Sequence, residues 1–136
     1  MTDFAGSVDA ALFSKLTTTP GTAFYGTRIY NMQAPEGVPR PYIIFSQIAG
    51  GNDNLTPNDS NDLTYRVECV GATRSDAATG NGYIQQALGS IQYELTVTNY
   101  SNYALQRQES FSRVDNIGGT QYWRRGDNYR IRFDHT

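Results

Sequence analysis

Two periods of apolar residues alternate along this chain. Val8, Leu12 and Leu16 recur every four residues with Ala11 on the same stripe, behind Ser7 as a candidate cap, and Thr17-Thr18-Thr19-Pro20-Gly21 ends the run. This spacing predicts a first helix. A short extended piece, Thr27-Arg28-Ile29-Tyr30, leads into a segment whose Pro35, Pro39 and Pro41 exclude a helix or a central strand. From Tyr42 to Ile48 the residues are aromatic and β-branched through the first half, as expected of a strand covered on both faces at one end. Gly50 to Asn61 is the most turn-rich stretch, with only Leu55 to anchor it, and reads as an exposed, mobile loop.

The period then becomes two. Leu63, Tyr65, Val67 and Cys69 alternate with Thr64, Arg66 and Glu68, which predicts a strand with one buried face. Ser75 is a candidate cap for a second helix carrying Ala77, Ile84, Leu88 and Ile91 on one face. Its glycines, Gly80, Gly82 and Gly89, each cost about 1 kcal/mol relative to Ala, so this helix depends on packing, and small residues on its buried side would let it lie close to a sheet. Tyr93 to Val97 reads either as a short strand or as the unwinding end of the helix. Tyr103 to Asp115 and Tyr122 to Phe133 read as longer strands joined across Asn116-Ile117-Gly118-Gly119, where the double Gly suits a hairpin turn. In the last strand Tyr129, Ile131 and Phe133 alternate with Asn128, Arg130, Arg132 and Asp134. The order predicts one α+β domain over residues 1–136: a four-stranded, mainly antiparallel sheet with two helices packed mostly on one face.

Composition narrows the chemistry. With 38% apolar and 18% charged residues in 136, the chain can bury about two-thirds of its unfolded surface around one core. Cys69 has no partner for a bridge, and the one histidine, His135, is penultimate, so neither a Cys/His zinc site nor a paired-histidine metal site is assembled within one chain; a nucleophile–histidine pair would need that terminal His135, and Cys69 at an inward strand position reads rather as a small buried hydrophobe. Asp53, Asp59 and Asp62 loosely follow a calcium-loop spacing but lack its ligand alternation and closing Glu. Gly80-Asn81-Gly82 fails as a dinucleotide fingerprint because Gln85 occupies the third glycine position. We therefore expect no catalytic, cofactor or metal site. A net charge of −2 gives no pull toward polyanions, and no apolar run reaches the ~20 residues of a membrane span. The N-terminus lacks the features of a signal peptide, an expectation of cytoplasmic residence.

The charges are unevenly placed. After residue 106 six arginines face four acids, a balance of +2, which leaves −4 for the rest of the chain. Lys15 is the only lysine, and arginine favours fixed, bidentate contacts with carboxylates over diffuse attraction to phosphates. Interleaved with Tyr122, Trp123 and Tyr129, Arg124, Arg125, Arg130 and Arg132 are candidate contacts for a protein partner or, equally, members of a solvated strand face with cross-strand ion pairs, with single-strand stacking as the weaker alternative. Asp53, Asn54, Leu55 and Asp59 are the candidate contacts on the acidic side. Arg125-Gly126-Asp127 matches an integrin-binding tripeptide but is expected to mark a bulge in the last strand pair.

In this arrangement the chain resembles the tail-completion, or tail-terminator, proteins of long-tailed bacteriophages. The resemblance rests on Ala10-Ala11-Leu12-Phe13-Ser14-Lys15-Leu16, on Gly26-Thr27-Arg28-Ile29-Tyr30, and on the run from Ala34 through Pro41-Tyr42-Ile43-Ile44-Phe45. It continues in Tyr65-Arg66-Val67-Glu68-Cys69-Val70-Gly71-Ala72 and ends in Tyr129-Arg130-Ile131-Arg132-Phe133. It implies a non-enzymatic virion protein that forms a ring, a hexamer, on the head-proximal end of the tail tube, stops tube growth and joins the tail to the head connector. Its implied partners are its own copies, the tail-tube protein and the connector or stopper protein, with DNA passing through the ring without specific binding and no membrane involved. The alternatives are a head-completion or neck protein, or a small nucleic-acid-binding module using the C-terminal hairpin.

Overall fold

The computed structural model describes residues 4–17, 21–53, 60–88 and 95–135, without the side chains of 5, 51–53, 60, 103 and 135. The elements are α1 (Phe4–Thr17), α2 (Thr22–Tyr25), β1 (Ile29–Asn31), β2 (Tyr42–Asp53), β3 (Ser60–Gly71), α3 (Arg74–Leu88), β4 (Thr96–Val97), β5 (Tyr100–Ile117) and β6 (Thr120–His135). Among the described residues the strands form one six-stranded sheet in the order β1-β2-β3-β6-β5-β4. The β1–β2 pair is parallel and the others antiparallel, and the mixed sheet curls into a half-barrel. The expectation of four strands and two helices is thus corrected, with six strands and three helices among the described residues, still α+β. The four expected strands form the centre. The additions are α2 and the short edge strands β1 and β4, which carry too few residues to show a period.

The helix-bearing face holds the main core. Val8, Leu12 and Leu16 of α1 are fully buried against it, as are Tyr65, Val67, Cys69, Tyr129, Ile131 and Phe133 of the sheet. Each such aliphatic side chain contributes about 1.5–3 kcal/mol. Polar groups fix α1: the Tyr65 hydroxyl donates to Asp9 Oδ1 at 2.7 Å, and the Tyr25 hydroxyl donates to the Leu16 carbonyl at 3.0 Å. Ser7 lies inside α1, which begins at Phe4, so it is not the cap. Nor is Ser75 the cap of α3. Thr73 Oγ1 accepts from the Asp76 amide at 3.1 Å, the N-cap to N3 bond that starts that helix.

The inward face of α3 matches its spacing, with Ala77, Ile84, Ala87 and Leu88 buried. Gly80 is the close-approach point: a β-carbon there would stand 2.1 Å from Cys69 Sγ. The expected Ile91 and the first half of Tyr93–Val97 lie outside the described residues, and Thr96–Val97 is strand.

A second, smaller cluster lies on the other face. Tyr42, Ile44 and Val70 are buried under Tyr30, Ala34, Val38 and Tyr122, so the proline-rich segment 31–41 folds over that end of the sheet. This explains why Tyr42 to Phe45 is apolar on both sides. The proposed loop from Gly50 to Asn61 is shorter than expected: Gly50 to Asp53 pair with Ser60 to Leu63, and 54–59 lie outside the described residues. Glycine serves that pairing at Gly50 (φ 144°), where a β-carbon would meet the Leu63 side chain at 2.6 Å.

Candidate functional site

β5 and β6 form a long hairpin turned at Gly118 and Gly119, both with positive φ (59° and 81°), as a two-residue hairpin turn requires. The sheet neighbour β3 ends at the rung Gly71–Trp123, whereas β5 and β6 continue from Asp115–Tyr122 to Ile117–Thr120. The last rungs therefore project as an arm. Ile117 at its tip is 59% exposed. Arg40 steadies the arm's base, its Nη1 donating to the Gln121 carbonyl at 2.6 Å and its guanidinium lying 4.9 Å from the Tyr122 ring centroid.

Toward the core, the outward face of β3, β6 and β5 carries a ladder of arginines and carboxylates. Arg124 bonds Glu68 Oε1 through Nη1 at 2.5 Å. Its Nε also lies 2.9 Å from Asp115 Oδ2, a charge contact without hydrogen-bond alignment. Glu68 is buried, so its charge depends on that partner. Further along, Arg66 Nε donates to Asn128 Oδ1 at 3.2 Å and its guanidinium stacks 4.7 Å from the Phe111 centroid. Arg130 Nε donates to both oxygens of Asp62 at 3.0 Å, and Arg132 Nε stands 3.9 Å from the same carboxylate. The Arg130 bond, opposed in part by burial, holds the Asp62 carboxyl below its usual range. Gly126 makes room for this ladder, since a β-carbon there would meet the Val67 carbonyl at 2.5 Å and Glu68 Cβ at 2.7 Å.

On the helix-bearing face of the same strand Asp127 is fully buried. It accepts from Gln85 Nε2 at 2.8 Å, from Asn81 Nδ2 at 3.4 Å and from the Ser110 hydroxyl, so one carboxylate joins α3, β5 and β6. Burial pushes the Cys69 thiol up to about 12 and raises the phenols of Tyr42 and Tyr129. No three His, Cys, Asp or Glu side chains converge as a metal site among the described residues. Nor is any described helix long and apolar enough to cross a membrane.

The arginines expected to meet a partner therefore divide. Arg124, Arg130 and Arg132 sit on the outward face in ion pairs with this chain's own acids, as arginine's fork geometry favours. Arg125 points to the opposite side, is exposed, and has no ion pair among the described residues. Arg125-Gly126-Asp127 keeps regular register with both neighbours. The irregularities of the β5–β6 pair fall on β5, between Asn102 and Ala104 and between Arg107 and Ser110, the latter opposite Asn128, rather than at the tripeptide. Of the acidic candidates, Asp53 ends β2 and its side chain is outside the described residues, as are Asn54, Leu55 and Asp59. Sequence reasoning missed Asp62, Glu68 and Asp115 as the arginines' partners. Glu68 stood out as an outward strand position, but only the β3–β6 register sets it beside Arg124.

Among the described residues the chain is a helix-backed sheet whose outward Arg124, Arg130 and Arg132 pair with its own acids, and whose β5–β6 hairpin projects as an arm. A family model described as "Tail completion protein gp17" matches residues 10–133, and the chain belongs to this family of structural virion proteins of the phage tail. A chain in a solved structure titled "Virion of native gene transfer agent (GTA) particle" is similar in fold, with a TM-score of 0.79 at 14% identity, over 98% of this chain and 99% of that one. No curated protein sequence matches this chain.

Proposed function

We propose that the protein closes the head-proximal end of the tail tube as a hexameric ring, ends tube growth and presents the surface on which the head connector docks. The arm carries this reading. A ring subunit repeats one heterologous contact sideways and must meet different proteins along the axis, so it needs lateral and axial surfaces in separate places. The rungs beyond Trp123, with Ile117 exposed at the tip, give an axial contact distinct from the two sheet edges. The ion-paired Arg124, Arg130 and Arg132 favour protein contacts over single-strand binding, which asks for uncommitted cations beside exposed rings. DNA then passes through the ring without specific binding, and the protein resides in the virion tail after assembly in the host cytoplasm.

The test is a tube-growth assay with the purified tail-tube protein of the same particle. Added chain is expected to arrest elongation and to appear by electron microscopy as a ring on one tube end, and capped tubes are expected to join purified heads. Unchanged tube lengths with the chain bound to heads instead would favour the neck-protein reading and refute this one.

A further inference from the structure

We infer that the helix-side face of the β5–β6 hairpin, beside α3, is the surface on which an acidic segment of the head connector docks. The inference rests on the proposed function and names the chemistry of that contact. Its basis is a division among the arginines. Arg28 and Arg40 donate to the carbonyls of Pro41 and Gln121, and Arg66 donates to Asn128. Arg113, Arg124, Arg130 and Arg132 stand against Asp115, Glu68 and Asp62. The other three, Arg74, Arg107 and Arg125, are exposed and have neither a side-chain hydrogen bond nor an ion pair among the described residues.

The fold gathers these three on one side. Rung partners share a face, so Arg125 lies with Ser112, and Arg107 with Tyr129, on the side that holds the main core. Arg74 begins α3, and positions 74, 78, 81 and 85 follow one another along one flank of that helix. Asn81 and Gln85 bond Asp127 of β6, so this flank is turned toward the hairpin, while Tyr83 on the opposite flank packs against Phe24 of α2. Beyond α3 the face of β5 is uncovered: Arg107, Ser110, Ser112 and Val114 are all exposed. The acid within this strip, Asp127, is buried and already bonded to Gln85, Asn81 and Ser110. Three guanidinium groups thus face solvent over one carboxylate, whereas the hairpin's other face carries acids against its arginines.

The occupant follows from this chemistry. Guanidinium forks select carboxylates or phosphates. A single strand of nucleic acid would also stack its bases on exposed rings, but Tyr129 is fully buried and Trp123 half-buried, so the strip offers no stacking platform. A second copy does not answer it either. Among the described residues the exposed acids with no arginine partner are Glu36 and Glu109, and they stand on separate elements. An acidic segment of a different protein does. Arg107 is level with Tyr129, four residues from Arg125 along β6 and so about 13 Å away, a span met by carboxylates four residues apart in an extended chain. At the upper end the Val114–Trp123 rung adds an apolar anchor, and Trp with Arg is the pairing that dominates protein contacts. That rung is the last before β5 and β6 project past β3, so strip and arm form one continuous surface.

Joining of capped tubes to purified heads tests this with a triple variant, Arg74→Gln with Arg107→Gln and Arg125→Gln. The control is Arg113→Gln, which removes an exposed arginine from the hairpin's other face. The triple variant should cap tubes as the wild type does but join heads about tenfold more slowly, with a weaker dependence on salt. Arg113→Gln should stay within about twofold of the wild type. Joining at the wild-type rate by the triple variant, or an equal loss in Arg113→Gln, would overturn the inference and leave the proposed function standing. Trp123 is the only tryptophan, so its fluorescence reports on the strip directly. Its emission should not change with a DNA oligonucleotide, single-stranded or duplex, at physiological salt. Quenching that the triple variant abolishes would assign the strip to nucleic acid and overturn the inference. Tubes left uncapped by the wild type would refute the proposed function, and this inference with it.

Discussion

Replacing Gly80 by alanine pits two terms of known sign against each other. Alanine in a helix interior gains about 1 kcal/mol over glycine through backbone entropy. The new β-carbon, however, would stand 2.1 Å from Cys69 Sγ and 3.0 Å from Cys69 Cβ, where ordinary carbon contacts begin near ~3.5 Å. Cys69 is fully buried and has one rotatable bond, so relief requires α3 to lift from β3. Overpacking of this kind costs about 1–3 kcal/mol, and we expect Gly80→Ala to lose roughly 1 kcal/mol net. In a Cys69→Ala background the sulfur is gone and the remaining Cβ contact yields with a shift of a few tenths of an ångström. There the same substitution should be neutral or stabilising, a coupling of about 1–2 kcal/mol. Urea denaturation of the four proteins measures it, and 1 kcal/mol corresponds to about 2–8 °C in Tm. Single effects that sum to the double within ~0.5 kcal/mol would refute the argument that Gly80 is there for Cys69.

Three further outcomes are expected. Arg124→Met leaves Glu68 buried without its partner and should cost about 3 kcal/mol by urea denaturation, whereas Arg124→Met with Glu68→Met should recover most of that loss. Asp62, its carboxyl lowered by the Arg130 bond, adds stability that is complete above its ordinary value of 3.8 and is lost as pH falls through the lower folded value. Its side chain is 34% exposed, so the gap in stability between wild type and Asp62→Asn should stay below ~1 kcal/mol near neutrality and close as pH falls through that lower folded value. Arg125→Glu should leave Tm within ~2 °C but reduce the joining of capped tails to heads, while unchanged joining would remove Arg125 from the docking surface.

The centre of the sheet was readable because its strands have one dry face, and Leu63 to Cys69 and Tyr129 to Phe133 alternate without interruption. The edges were not. Ile29–Asn31 and Thr96–Val97 are strands through backbone bonds to β2 and β5, and such short pieces carry no period. Composition misled at Gly50 to Asn61, where turn-forming residues continue a ladder at both ends, since pairing with a formed neighbour overrides local preference. The two caps were misplaced because Ser7, Thr73 and Ser75 are chemically equivalent, and only the geometry of the Asp76 amide selects Thr73. For the surface, the abundance of arginine correctly announced carboxylate partners. Cross-strand pairing within the chain was one of the readings the arginines offered, but sequence could not name the partners, because Asp62 and Glu68 lie far from Arg130 and Arg124 along it and meet them only across the β3–β6 ladder.

That ladder also shapes the field outside the molecule. Arginines and acids a few ångströms apart on one strand face make a row of opposed dipoles, whose potential decays faster with distance than that of separated charges. At physiological ionic strength screening acts over about 8 Å, so little of it survives past the first hydration layers. A stiff polyelectrolyte sliding past such a face meets almost no electrical relief, neither wells to hold it nor barriers to stop it. Internal pairing thus makes an arginine-rich surface electrically smooth.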